Sequence, residues 1–332
     1  MRFGPVPLSQ AEGAILAHSV PAGERKIAKG RVLTAEDVKA LAAAGLARVT
    51  VARLDAGDVG EAEAAARLGA ALVPDPAAAG LAVSPPVNGR VNLHATGPGL
   101  FEVDAARVLA LNSVDPAITL ATLAPWTRVR KGLLCATVKI IAYAVPGAAL
   151  DRACALAGGA VRVRPVVRRS AGLILTDAPG QKAGLIAKGR AAVEARLRAL
   201  GMRLAAVRTV AHEAGAIRDA LAGLPGEMIL ILTGAATSDL HDEAPEALRA
   251  AGGAVERFGM PVDPGNLLFL GALGDRPVIG LPGCARSPAL NGADWVLERL
   301  ACGLTLTGAD IAAMGVGGLL KEMPSRPERR EG

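Results

Sequence analysis

The rhythm of hydrophobic and polar positions changes near residue 170. Before it, apolar residues come in short, interrupted runs. After it, they form continuous strings separated by amphipathic stretches. GLILT at 172–176 and MILIL at 228–232 are apolar throughout, so neither leaves a face for water. Between and beyond them, 186–200 has helical spacing and stops at Gly201, 203–210 reads as a strand, and 214–222 as a helix. A helix over 245–251 and a strand over 254–258 follow. LLFLGAL and RPVIGL then flank Gly274-Asp275 at hairpin spacing, and a helix over 288–302 closes the unit. Buried strands alternating with amphipathic helices predict an α/β fold: a doubly wound, three-layer αβα domain over 171–303.

The first half predicts a mixed α+β region. Thr34 is placed to cap a helix over 35–44, with Asp37 in capping-box position and Gly45 at the stop. A strand over 48–54 and an alanine-rich helix over 60–72 complete a small α/β segment, 1–73. Four prolines mark a linker at 74–86. A second mixed domain, 87–165, is expected to hold a hairpin of 90–94 with 99–103, a helix over 104–111, a long strand over 133–144 and a helix over 148–157. Residues 160–170 read as a hinge, and 304–332 as a C-terminal tail.

Composition narrows the function. Aromatics number seven in 332 residues (Phe 4, Trp 2, Tyr 1), too few for the stacking platforms of RNA- or single-strand-binding modules. The aliphatic content argues against disorder. No apolar run reaches the ~20 residues that span a bilayer, and the amino terminus does not read as a signal peptide. Cys135, Cys154, Cys284 and Cys302 show no zinc spacing, which suits a reducing cytoplasm. The formal net charge of +6 is uneven: residues 1–170 carry 20 basic and 13 acidic groups, residues 171–332 carry 17 and 18. Nine basic residues crowd 128–169 against the single acid Asp151. They form either an ordinary solvated surface in an arginine-rich chain or a field that steers an anionic small molecule.

In doubly wound folds ligands bind beyond the carboxyl ends of the strands, which nominates four loops. TDAPGQKAG (176–184) offers Thr176, Asp177 and Lys182, with Lys188 following. AHEAG (211–215) offers His212 and Glu213. TGAATSDLHD (233–242) offers exposed backbone at Gly234, hydroxyls at Thr237 and Ser238, and carboxylates at Asp239 and Asp242. Those carboxylates are suited either to Mg²⁺ with a nucleotide or to capping and turn roles within the loop. LPGCARSP (281–288) offers a tight turn at Pro282-Gly283 and a helix entry at Ser287-Pro288. Cys284 reads as a small packing residue.

At these loops the chain resembles a known family. LILTGAATSDLHDEAPEAL resembles the TGG-T-S-x-G-x-x-D segment of the molybdopterin-binding (MoaB/Mog-type) domain. GMPVDPGNLLFLGALGDRPVIGLPGCARSPAL is similar to the end of the molybdopterin molybdotransferase (MoeA-like), whose M-x-P-G-x-P segment precedes G-L-P-G-N-P. EGAILAHSV resembles that enzyme's entry segment. The chain as a whole is similar to bacterial molybdopterin-binding proteins that are often fused to a nucleotidyltransferase domain. The resemblance implies a Mog-like fold and a cleft for molybdopterin or molybdenum cofactor, a phosphorylated pterin. It places Gly234, Thr237, Ser238, Asp239, Asp242, Pro282, Gly283 and Ser287 at the ligand; the strand-end rule adds Thr176, Asp177 and Lys182 of the first loop. In active members it implies ATP and Mg²⁺, with Asp239 and Asp242 at the metal and Asp242, Asp239 and Glu213 in catalysis.

The departures are Ala235 for the second glycine of TGG, Leu240 for the later one, His212-Glu213 in place of an Asp, and Cys284 for the asparagine. The expectation is a cytoplasmic protein that binds molybdopterin or molybdenum cofactor during its synthesis, maturation or delivery. The rivals are an active molybdopterin adenylyltransferase or molybdotransferase, and a non-catalytic scaffold for a molybdoenzyme or nucleotidyltransferase. Association of this chain into homo-oligomers is implied by the family; nucleic acid and membrane are not expected partners.

Overall fold

The computed structural model describes residues 1–320, which form α/β units of two kinds. One unit comprises residues 1–97 and 101–164; the other comprises 98–100 and, among the described residues, 165–320.

The first unit contains two separate cores. Leu8, Leu16, Leu33, Leu41 and Val51 make the smaller one, between the helix Ala35–Ala43 and a three-stranded antiparallel sheet in which Arg48–Arg53 lies between Arg2–Pro7 and Ile15–Leu16. The helix starts as its sequence requires. The Thr34 hydroxyl accepts the Asp37 amide at 3.2 Å, and the Asp37 carboxylate accepts the Thr34 amide at 3.2 Å. Asp37 is buried and also takes the Arg31 guanidinium at 2.8 Å, which holds its carboxyl below the usual carboxylate range. The larger core includes Leu68, Leu72, Val91, Leu93, Phe101, Val138 and Leu150. The helix Glu61–Leu72 packs into this larger core, away from the segment it follows in sequence.

Three expectations for this unit are corrected. The stretch 74–86 holds a short helix, Pro76–Ala79, and a strand, Leu81–Val83. Pro76 starts structure rather than stopping it, because it occupies the first helical turn, where a missing N–H costs nothing, and Asp75 caps it. Strands Arg90–Ala95 and Gly99–Val103 do not pair with each other. The former joins Leu134–Ile140 and Leu81–Val83; the latter joins Thr127–Val129 and Val161–Pro165. An apolar partner as long as Leu134–Ile140 satisfies more of the ladder than a short local return. The long strand expected at 133–144 ends at Ile140, and Ala144–Pro146 pairs separately with Asp58–Gly60.

The second unit is built on one six-stranded sheet. Its elements are β1 (Ser170–Asp177), α1 (Leu185–Ala199), β2 (Arg203–Ala211), α2 (Ala214–Leu221), β3 (Met228–Leu232), α3 (Glu243–Ala250), β4 (Ala254–Phe258), β5 (Phe269–Leu273), β6 (Arg276–Leu281), α4 (Gly292–Ala301) and α5 (Gly308–Ala313). The order is β2-β1-β3-β6-β5-β4; the first four strands are parallel, β5 is antiparallel to both β6 and β4, and β4 therefore runs with the first four. Ile174, Ile229, Ile231, Phe269 and Val278 pack against Ile217, Leu221, Ala247 and Leu248 of α2 and α3. On the alternate parity, Leu175 and Leu232 meet α1 at Gly189, where a Cβ would lie 2.8 Å from Leu232 Cδ2. Helices therefore lie on both faces of the sheet, which is why β1 and β3 read as unbroken apolar runs.

The closing helix is shorter than expected. It begins at Gly292 with Asn291 and Asp294 as a capping box, and 283–286 is a separate 3₁₀ turn. Ser287-Pro288 therefore caps nothing, and Ser287 is extended. The cause lies 91 residues away: Arg196 of α1 donates to the carbonyls of Ala285 (2.8 Å), Ser287 (2.7 Å) and Ala289 (3.2 Å), which keeps 285–289 out of the helix. The segment expected as a tail carries α5, with a Thr307–Asp310 capping box, and Leu319 bridges to Asp263. Residues 321–332 of that segment lie outside the described residues. No helix among the described residues is long and apolar enough to cross a membrane.

Arg196 and Asp294 are 2.6 Å apart and both buried. Asp294→Asn should cost the second unit about 3–5 kcal/mol, because it strands a buried guanidinium; urea denaturation followed by tryptophan fluorescence measures it. Asp37→Asn should lower stability by about 1 kcal/mol at neutral pH. Because the folded carboxyl is depressed, its contribution is present above the unfolded value of about 4 and disappears as pH falls through the folded value. Urea midpoints of the wild type and Asp37→Asn should therefore converge in acid.

Candidate functional site

The third and fourth loops leave the carboxyl ends of neighbouring parallel strands. Leu232, the last residue of β3, sits opposite Leu281, the last of β6. The loop after β1 lies beside them, since Leu175 of β1 is opposite Leu232. Three of the four nominated loops thus meet at one rim by topology alone.

Thr176 is the buried centre of that rim. Its Oγ1 accepts the Gly234 amide at 2.7 Å and lies 3.0 Å from His212 Nδ1. His212 thereby ties the second loop to the first and third, a role its isolation in sequence does not reveal. Gly234 has a packing reason to be glycine: a Cβ there would stand 2.3 Å from Gln181 Oε1 and 2.7 Å from the Thr176 carbonyl. Thr237 is buried against Thr233, their hydroxyls 3.4 Å apart. Thr176 and Thr237 therefore hold the loops in place, while Asp177, Lys182 and Ser238 are exposed at the rim.

The two carboxylates of the third loop are engaged with backbone. Asp242 accepts the Glu243 amide at 2.7 Å, capping α3, and the Ser238 amide at 2.8 Å. Asp239 accepts the His241 amide at 2.8 Å. Glu213 is exposed at the start of α2 and makes no cap; the Ala214 amide is taken instead by Glu243. Among the described residues no group of three or more His, Cys, Asp or Glu side chains is arranged to hold a metal ion.

Pro282 and Gly283 begin the 3₁₀ turn, and the Ser287 hydroxyl accepts the Ala289 amide at 3.2 Å. Cys284, expected to pack, is exposed, and partial desolvation holds its thiol above the ordinary value. Sequence reasoning missed Arg286. Its guanidinium donates to the Thr233 carbonyl of the third loop and, at 3.4 Å, to the Gly283 carbonyl of its own. Its stem runs past Gly189 of α1, and desolvation pulls its guanidinium below the usual arginine value. The only sequence hint is a cation in an otherwise small-residue loop.

Of the basic stretch 128–169, only Arg168 and Arg169 belong to the second unit. Arg162 and Arg164 pair with Glu102 in the first unit, and Arg168 donates to the carbonyls of Leu300 and Glu227. Arg168 and Arg169 precede β1, at its amino end; the loops lie at its carboxyl end, roughly 25 Å along the strand. Two concavities, of about 600 Å³ along Arg2–Val6 and about 520 Å³ between Asp75 and Arg107, lie in the first unit.

A family model described as a domain of unknown function (DUF8806) matches residues 5–53, the segment of the smaller core. No curated protein matches the chain. Among solved structures, the molybdopterin biosynthesis MoeA protein of Pyrococcus horikosii aligns over 91% of this chain and 75% of its own, at 14% identity and a TM-score of 0.32.

Asp242→Ala should cost about 1 kcal/mol through loss of the cap. Gly234→Ala should cost about 1–3 kcal/mol, since the loop at 176–181 must move. Urea midpoints of the two variants check both; an unchanged midpoint in Asp242→Ala would contradict the capping role.

Proposed function

We propose that the second unit binds molybdopterin or molybdenum cofactor at the rim formed by the loops after β1, β3 and β6, and serves cofactor synthesis, maturation or delivery. One observation carries this reading: the two segments that resemble the molybdopterin-binding family, 233–242 and 281–288, leave adjacent parallel strands and are joined by Arg286. They are 39 or more residues apart in sequence, so their meeting is a property of the fold.

The donors at the rim suit a phosphorylated pterin. Ser238, Asp177 and Lys182 are exposed, and Gly283 leaves its backbone open. The exposed Ala235 and Ala236 allow a flat ring to approach the main chain. Arg286 supplies positive charge for the phosphate. In this reading Thr176, Gly234, Thr237 and Asp242 position the loops, and Asp177, Lys182, Ser238, Pro282, Gly283 and Ser287 face the ligand.

Binding is favoured over ATP- and Mg²⁺-dependent transfer because Asp239 and Asp242 already hold backbone amides. A transferase needs them free for the metal. Isothermal titration with purified molybdopterin and with molybdenum cofactor should give a dissociation constant at or below the micromolar range. Failure of both to bind would overturn the reading.

A further inference from the structure

Two arginines flank the loop at 281–289, and their hydrogen-bond inventories differ. An arginine carries five N–H donors. Arg196 uses all five: Nε on Asp294, Nη1 on the carbonyls of Ala192 and Ala285, Nη2 on those of Ser287 and Ala289. Its charge is matched by the buried carboxylate it touches. Arg286 donates only to Thr233 and Gly283, which leaves three of its five N–H groups without a protein partner. Its Nε is buried and unpaired, and among the described residues no carboxylate lies within salt-bridge distance of it. Arginine keeps its charge in such a place, which leaves the guanidinium available to an anion.

We propose that Arg286 is the anion-binding residue of the rim and takes a phosphate group of the bound ligand. The inference deepens the molybdopterin reading and rests on it for the rest of the ligand's identity; the phosphate chemistry stands on Arg286 alone. Its position fits the task. One side of the guanidinium holds the Thr233 carbonyl, fixing the fork between the loops after β3 and β6. The remaining Nη hydrogens belong to a half-buried side chain at the carboxyl end of the sheet. Partial desolvation strengthens a charge-assisted bond there relative to one in open water. Arg286 thereby links occupancy to loop position: an anion on the guanidinium braces the contact that joins the two loops.

The test uses inorganic phosphate first and molybdopterin second, on the full chain. Wild type should bind phosphate at millimolar concentration by calorimetry, with an affinity that falls as salt rises. Arg286→Gln, which removes the charge and ends where Nε stood, should bind roughly tenfold to hundredfold more weakly and lose much of the salt dependence. Arg286→Lys should be intermediate, because it keeps the charge without the fork. A merely structural arginine would leave the salt dependence unchanged. Phosphate binding within twofold of wild type in Arg286→Gln would overturn the proposal, as would absence of phosphate binding to wild type. If phosphate binds through Arg286 and molybdopterin does not bind, the molybdopterin reading falls and the anion site stands. If molybdopterin binds equally to wild type and Arg286→Gln, the reading stands and this inference falls.

Discussion

The second unit depends on the buried Arg196 guanidinium. It draws together the last turn of α1, the chain at 285–289 and the first turn of α4, and it satisfies three carbonyls of that chain. A buried charge is costly unless fully hydrogen-bonded, and here the inventory closes with Asp294 as counter-ion. The consequence is directional. With 285–289 pinned, the helix start is set back to Asn291, and the loop after β6 stays an open turn at the sheet's carboxyl edge. Were the helix to begin at Pro288, its backbone would absorb the carbonyls that Arg196 now holds. Asp294 serves twice, as partner to Arg196 and as the third residue of the α4 capping box. The ion pair and the helix start are therefore one device.

That device also marks where sequence reasoning stops. The alternation of strands and helices after residue 170 is legible because a parallel strand buried on both faces has no choice but an apolar run. The Thr34–Asp37 box is legible for the same kind of reason: both partners lie within one turn. Long-range pairing is not local. Nothing within 90–103 tells that these strands face different sheets, because the deciding partner, Leu134–Ile140, is some forty residues on. Nothing near Ser287 tells that an arginine on α1 governs the loop.

The same division runs through the candidate site. Motif reading selects the loops correctly as neighbours, since strand ends in a parallel sheet fall on one edge. It does not sort their residues by task. Gly234 and Asp242 carry the resemblance and Thr176 belongs to the first nominated loop, yet each is engaged in holding backbone or admitting a close approach. A loop that must offer its own N–H groups to a ligand needs every turn locked first, and the residues that lock it recur in a motif as surely as those that touch the ligand.

Ala235 and Leu240 stand where the resembled sequence pattern has glycines, and neither takes the left-handed backbone region that favours glycine; the non-glycine residues with positive φ among those described are Asn88 and Trp126. The loop therefore loses glycine without strain. Gly234 is different, because its constraint is space: the Gln181 side chain and the Thr176 carbonyl occupy the volume a Cβ would need. One glycine of the pair is thus held by packing, and the other is free to change. The freedom extends to charge. Once Asp239 and Asp242 are committed to the turn and to the α3 cap, Arg286 is left as a half-buried cation of the rim with no carboxylate partner among the described residues, and under the proposed reading such a site would hold a phosphate rather than break its bonds.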